Sequence, residues 1–329
     1  MIQIILIGIG AGAAAALLFA SVISGAWLSV VLFYLAPLPV MLAGLGWSHW
    51  AALIAAFAGA VTLGVAFGGY FFLAFLAGAG LPAWWLGYLT LLARPAGDAP
   101  VNGGAPEFEW YPPGRLATWA AALGALTVVV AVFNFGLDGE SVRTNLHHAL
   151  AQLLHLKTGS GAGTQAGAPA IEGVGNAKVL LDFLVEAVPP AAAVLSTLTY
   201  LVNLWLGGRI VSFSGRLKRP WPDLSAMTYP RAMAPALGVA VALSFAPGLF
   251  GILASVVAAA LLLAFGVLGF AVLHAISRTM ASRGFLLGGA YAAVLVFGWP
   301  LLAMGIIGLA DMFVDLRGRA AARRRGGPP

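Results

Sequence analysis

The chain has no cysteine among its 329 residues. That excludes disulfides, thiolate metal sites, thiol catalysis and S-acylation. Charge is scarce as well: Asp, Glu, Lys and Arg make up 9% of residues, where a soluble domain carries about 25%. None of these residues precedes Arg94. Several apolar runs in that uncharged stretch approach or exceed the roughly 20 residues a helix needs to cross a ~30 Å hydrocarbon layer. A water-soluble fold cannot hide so long a stretch, so the chain belongs in a bilayer.

What is abundant agrees. Hydrophobic residues make up 61% of the chain, and the mean hydropathy is +0.96. The 43 glycines suit membrane helices that pack backbone to backbone. The expected fold class is all-α, a polytopic transmembrane helix bundle with about eight or nine crossings of typical length. One membrane domain is expected over 1–316, followed by a basic tail over 317–329.

Uncharged segments mark the crossings. Helices are predicted over 4–23, 26–45 (interrupted by Pro37 and Pro39), 50–67, 70–92 (with Pro82 inside) and 116–137. A polar loop with Asp98, Glu107 and Glu109 separates the last two. The stretch 138–178 is the longest polar one. Val142, Leu146, Leu150 and Leu153 recur there at helical spacing, opposite Asn145, His148, Gln152 and His155. That pattern predicts an amphipathic surface helix. A flexible Gly/Ser/Thr-rich linker over 158–167 follows it. A lead-in helix over 178–187 precedes Pro189-Pro190, which are expected to open a helix over 191–206. Two further helices fill 232–274, broken at Ala246-Pro247-Gly248. The last apolar run, 285–310, carries Trp299-Pro300 in its middle.

The net charge of +6 does not point to nucleic acid. The basic residues lie in short loops and in the tail, as the positive-inside rule predicts for cytoplasmic segments. The expected location is the bacterial inner membrane, with a cytoplasmic C-terminus near anionic lipid. The N-terminus has no basic region of the kind a signal peptide carries, so the first helix is expected to be retained. One conflict remains. A single crossing over 285–310 sets Arg278 and Arg283 on the opposite side from the tail at Arg317. Either the run is a hairpin of two half-helices, or Arg278 and Arg283 are external. The N-terminal orientation stays open, because the first helices hold no Lys or Arg to count.

Ionisable and polar residues at membrane depth are functional candidates. Asp311 and Asp315 follow the last apolar run at i,i+4 spacing, as an ion or proton site or as part of an interfacial salt-bridge ladder with Arg317 and Arg319. Asp182 and Glu186 form a second i,i+4 acidic pair, either a cation site at the bundle mouth or the wet face of a helix. Asn134 and Asn203 lie in apolar helices and need partners; they line a ligand cavity or tie helices together. His148 and His155 lie about 10 Å apart along one helix, too far to share an ion, so no metal is expected. The run Gly8-Ile9-Gly10-Ala11-Gly12 lacks the strand and the acidic residue of a nucleotide fold. Gly8/Gly12, Gly64/Gly68 and Gly284/Gly288 read as close-packing pairs. With no catalytic motif in view, neither an enzyme nor a cofactor is expected.

Two motifs carry a resemblance. Trp110-Tyr111-Pro112-Pro113-Gly114-Arg115 enters one helix, and Gly308-Leu309-Ala310-Asp311 precedes Asp315-Leu316-Arg317. With these the chain resembles the YybS-like bacterial membrane proteins, a domain of unknown function numbered 2232. That family brings no activity with it. Pro37-Leu38-Pro39 and Gly44-Leu45-Gly46-Trp47 are also similar to the early helices of the substrate-binding subunits of energy-coupling-factor transporters. That likeness implies a six-helix module over 1–210, additional helices over 232–316, an unidentified small-molecule ligand and partner subunits in the membrane. The functional expectation is a small-molecule-binding or permease component acting with partners. The alternative is a non-transporting scaffold for envelope assembly or morphogenesis. A permease predicts a partly polar cavity among the first six helices. A scaffold predicts a filled interior with an apolar groove on its flank.

Overall fold

The computed structural model describes residues 1–96, 108–154 and 174–324. Asp98, Glu107, His155 and the linker expected over 158–167 lie outside the described residues.

Helix α1 (Ile2–Ala20) runs into a 3-10 turn (Ser21–Ser24). α2 (Trp27–Tyr34) and α3 (Pro37–Gly46) follow, broken where the prolines remove backbone donors. Ser48 caps α4 (His49–Phe67) by accepting the amide of Ala51, and Gly68 ends it at a φ of +96°. α5 (Gly69–Phe75) passes through one π-helical turn (Leu76–Gly80) into α6 (Leu81–Thr90). Strands β1 (Ala93–Pro95) and β2 (Phe108–Trp110) pair antiparallel, with Arg94 opposite Glu109. α7 (Pro113–Phe133) then leads to α8 (Gly139–Leu153). The Asp138 carboxylate caps α8 through the amides of Glu140 and Ser141, and the Ser141 bonds hold that carboxyl below its usual range.

The C-terminal half is α9 (Val174–Phe213), α10 (Met233–Ser244), α11 (Gly248–Ile276), α12 (Arg283–Phe297), α13 (Pro300–Val314) and α14 (Leu316–Arg324). Here the structure corrects one expectation. Pro189 and Pro190 do not open a helix; they lie inside the 40-residue α9. They deny an amide donor to the carbonyls of Val185 and Glu186, four residues back, yet the helix runs on through them.

Among the described residues, seven helical stretches are long and apolar enough to cross a membrane, from Ile2–Ser24 to Gly248–Thr279. The shortfall from the expected number lies in α10, α12 and α13, which have 12, 15 and 15 residues. A 15-residue helix is about 22 Å long, short of the ~30 Å hydrocarbon layer.

α12 and α13 settle the conflict over the last apolar run. Arg278, after α11, bonds Asp223 at 2.6 Å and the hydroxyl of Ser225. Arg317, after α13, donates to the carbonyl of the same Ser225 at 2.9 Å. The two arginines therefore sit at one end of the bundle, and the run between them is a hairpin of two half-helices. α13 returns parallel to α11: Leu301 meets Gly266, and Met304 and Gly308 meet Gly269.

The same kind of neighbour relation orients the other helices. Arg219 bonds the carbonyls of Thr90 and Tyr111. Arg216 stacks on Trp47, and His49 meets Tyr88 edge to face. Gly8 packs on Ala51, which brings the start of α1 to this end as well. At the opposite end Gly139 touches Gly248. The first we call the basic end. It holds Arg209, Arg216, Arg219, Arg278, Arg283 and Arg317, whereas Arg143 and Lys178 belong to the other.

Two apolar cores fill the bundle. One joins α1, α3, α4, α5 and α6 around Phe19, Met41, Phe75 and Leu86. The other joins α7, α10 and α11 around Val128, Leu237, Phe265 and Leu268. α7 and α9 contribute to both, through Ala120 and Tyr200 to the first and Ala121 and Ala193 to the second.

Candidate functional site

Two polar residues inside the bundle have identifiable work, whereas the fully buried Thr197 hydroxyl has no partner among the described residues. Pro82 has no amide hydrogen, so the carbonyl of Gly78, four residues earlier, loses its helical donor. The hydroxyl of the buried Tyr200 donates to that carbonyl at 2.8 Å and lies 2.8 Å from the Thr127 hydroxyl. At the break between α2 and α3 the Leu38 amide bonds Leu35, so it is not available to Tyr34. Asn203 fills that gap: its amide donates to the Tyr34 carbonyl at 2.8 Å and to Thr199 at 2.7 Å. Asn203 is 1% exposed, and its side-chain oxygen has no partner among the described residues. Tyr200 and Asn203 thus complete carbonyls freed where the N-terminal helices break. Asn134 sits elsewhere, exposed at the end of α7, bonded to Val130 and Ala131 of its own helix.

Asp311 and Asp315 do not share a helix face. α13 ends at Val314, and Asp315 adopts a left-handed conformation with φ 47°. Its carboxylate accepts the amide of Gly318 and starts α14. Asp311 instead pairs with Arg317 at 2.7 Å, with side-chain exposures of 3% and 17%. Arg317 also donates to the carbonyls of Ser225 and Met227, at 2.9 Å each. Nearby, the Ser225 hydroxyl and then Arg278 hold the Asp223 carboxyl down at about 2. This cluster clasps the hairpin to the loop ahead of α10.

Asp182 and Glu186 meet residues that the sequence alone could not bring to them. α8 packs against the start of α9 at the end opposite the basic one. Between them lies a cleft of about 390 Å³ lined by Arg143, Thr144, His147, His148, Asp182 and Glu186, with Val185 at its floor. One wall is cationic and the other acidic. No ion pair joins them among the described residues. Asp182, Glu186, Arg143 and His148 are exposed. No group of three or more acids and histidines is placed to hold a metal among the described residues. The sequence signal was present as two i,i+4 pairs, Arg143/His147 and Asp182/Glu186, but their facing is a tertiary fact.

A second concavity is apolar. A groove of about 540 Å³ runs between α10 and α11, lined by Pro235, Val239, Leu243, Phe250, Leu253 and Val257 among others.

No curated protein and no solved structure matches the chain. A family model, described as a predicted membrane protein (DUF2232), matches residues 13–312. The match runs from within α1 to within α13, and the chain belongs to that family of membrane proteins.

Proposed function

We propose that the protein is a non-transporting scaffold of the bacterial inner membrane, serving envelope assembly or morphogenesis with partner subunits. The observation that carries this reading is the occupied interior. Ala56, Val40, Met41, Phe75, Leu86 and Ala120 are sealed at 0–1% exposure where a permease needs a path. The Tyr200 hydroxyl and the Asn203 amide nitrogen inside the bundle are engaged by backbone carbonyls. The flank carries an open apolar groove, the second feature expected of a scaffold.

Because the native chain has no cysteine, single cysteines report accessibility directly. Ala56→Cys and Ala120→Cys are expected to stay unlabelled by a hydrophilic maleimide from either side of the membrane. Labelling of either above the cysteine-free parent would reveal a water path and return the protein to the permease class. That second reading is favoured by one observation, the π-helical turn at Leu76–Gly80, a feature often found at functional sites. It also accords with the likeness of the early helices to energy-coupling-factor subunits.

The basic end faces the cytoplasm in this proposal, by the positive-inside rule. Ser214→Cys at that end and Glu140→Cys at the other, both exposed, test the orientation. An impermeant maleimide added to intact cells is expected to label Glu140→Cys and spare Ser214→Cys. The reverse pattern would invert the assignment.

A further inference from the structure

We propose that the cleft between α8 and α9 binds the zwitterionic headgroup of an aminophospholipid, its phosphate toward Arg143 and His147 and its ammonium toward Asp182 and Glu186. Three observations converge. First, the cleft holds both signs of charge on separate walls that do not neutralise each other among the described residues. A ligand carrying only one charge satisfies one wall and leaves the other unmatched; a phosphate joined to an ammonium by a short linker satisfies both. Guanidinium to phosphate and ammonium to carboxylate are both charge-assisted hydrogen bonds, the stronger kind.

Second, the acidic wall lies one helical turn ahead of a proline pair. Pro189 and Pro190 offer no amides to the carbonyls of Val185 and Glu186, both residues of the cleft. A primary ammonium has three hydrogens to place, on the two carboxylates and on carbonyls that the prolines leave without a helical donor. A quaternary ammonium has none to donate.

Third, the setting is that of a lipid rather than a free solute. Val179, Leu180 and Phe183 flank Asp182 on α9 with exposures of 68%, 49% and 66%. On α8, Leu153 and Leu154 are 75% and 44% exposed. Apolar side chains exposed on both helices beside a charged cleft fit the boundary between headgroups and acyl chains. A headgroup in the cleft lays its chains along these residues.

The test uses the full-length protein in mild detergent and follows its melting temperature. The probes are dihexanoyl phosphatidylethanolamine, the matching phosphatidylcholine and phosphatidylglycerol, and water-soluble glycerophosphoethanolamine. Phosphatidylethanolamine is expected to give a saturable rise, and phosphatidylglycerol and phosphatidylcholine a weaker one. Asp182→Asn with Glu186→Gln is expected to weaken phosphatidylethanolamine binding about tenfold, the loss of a charge-assisted contact, and to abolish the preference. Arg143→Gln is expected to weaken phosphatidylethanolamine and phosphatidylglycerol alike. These side chains are exposed, so the melting temperature without lipid should hold in every variant, which separates lost binding from lost folding. If glycerophosphoethanolamine matches the lipid, the headgroup chemistry stands and the ligand is a free solute. Equal responses to all the phospholipids, or a preference that survives the acidic-wall variant, would overturn the proposal.

Discussion

Asp311→Ala should be among the most damaging single substitutions in the chain, lowering stability by about 3–5 kcal/mol. The carboxylate is 3% exposed and meets Arg317 twice, at 2.7 and 2.9 Å. It also accepts the Arg317 amide at 3.1 Å. Without it, the guanidinium stays against the carbonyls of Ser225 and Met227 with no counter-charge. Arg317→Met is expected to do comparable harm by stranding the carboxylate. The double variant should lose less than the sum of the singles, because each removes the partner the other leaves unpaired. Thermal melts in detergent of the four proteins measure this directly. Single variants that melt with the wild type would show that the clasp contributes nothing.

Gly269→Val and Gly308→Val form the second pair with large expected effects. A Cβ on Gly269 falls 1.9 Å from the Met304 carbonyl oxygen, and one on Gly308 falls 2.3 Å from that of Phe265. Both obstacles are backbone, so no rotamer change relieves them. α13 must move off α11, and overpacking of this kind costs about 1–3 kcal/mol, occasionally more. Gly284→Ala and Gly288→Ala supply the contrast. A Cβ there meets nothing within 4 Å, and losing a helical glycine gains about 0.5–1 kcal/mol. If all four substitutions behave alike, close packing is not what these glycines provide.

That contrast shows how far the sequence could be read. The glycine pairs looked equivalent on paper. In the structure Gly8 and Gly12 press on α4, whereas Gly284 and Gly288 face open space and Gly68 makes a turn. Spacing marks the helix face on which two small residues lie, but not whether another helix covers it. The membrane class was legible from the absence of charge before Arg94, because desolvating charge is the dominant local cost in hydrocarbon. The breaks at Pro37 and at Ala246-Pro247-Gly248 were legible because proline acts locally. Pro189-Pro190 misled for the same reason. The local rule predicts a boundary, yet the helix is packed on both sides of it, by Leu181 and Val185 before the prolines and Ala193 after them. The facing of Arg143 and Asp182 across one cleft is set by how α8 folds back on α9, and no local pattern carries that.

The turn at Gly298 bears on how the chain enters the membrane. Its amides are satisfied locally: Gly298 bonds Val294, Leu301 bonds Gly298 and Leu302 bonds Trp299, while Pro300 has no hydrogen to satisfy. The tip of the hairpin can therefore descend into hydrocarbon without stranding backbone donors. It leaves from and returns to the end where Arg278 lies. With the basic end cytoplasmic, as proposed, none of the arginines of α14 has to be translocated during biogenesis. The last two apolar segments can slip in from one leaflet after α11 is seated, with the charge-dense tail kept on the side that holds Arg278.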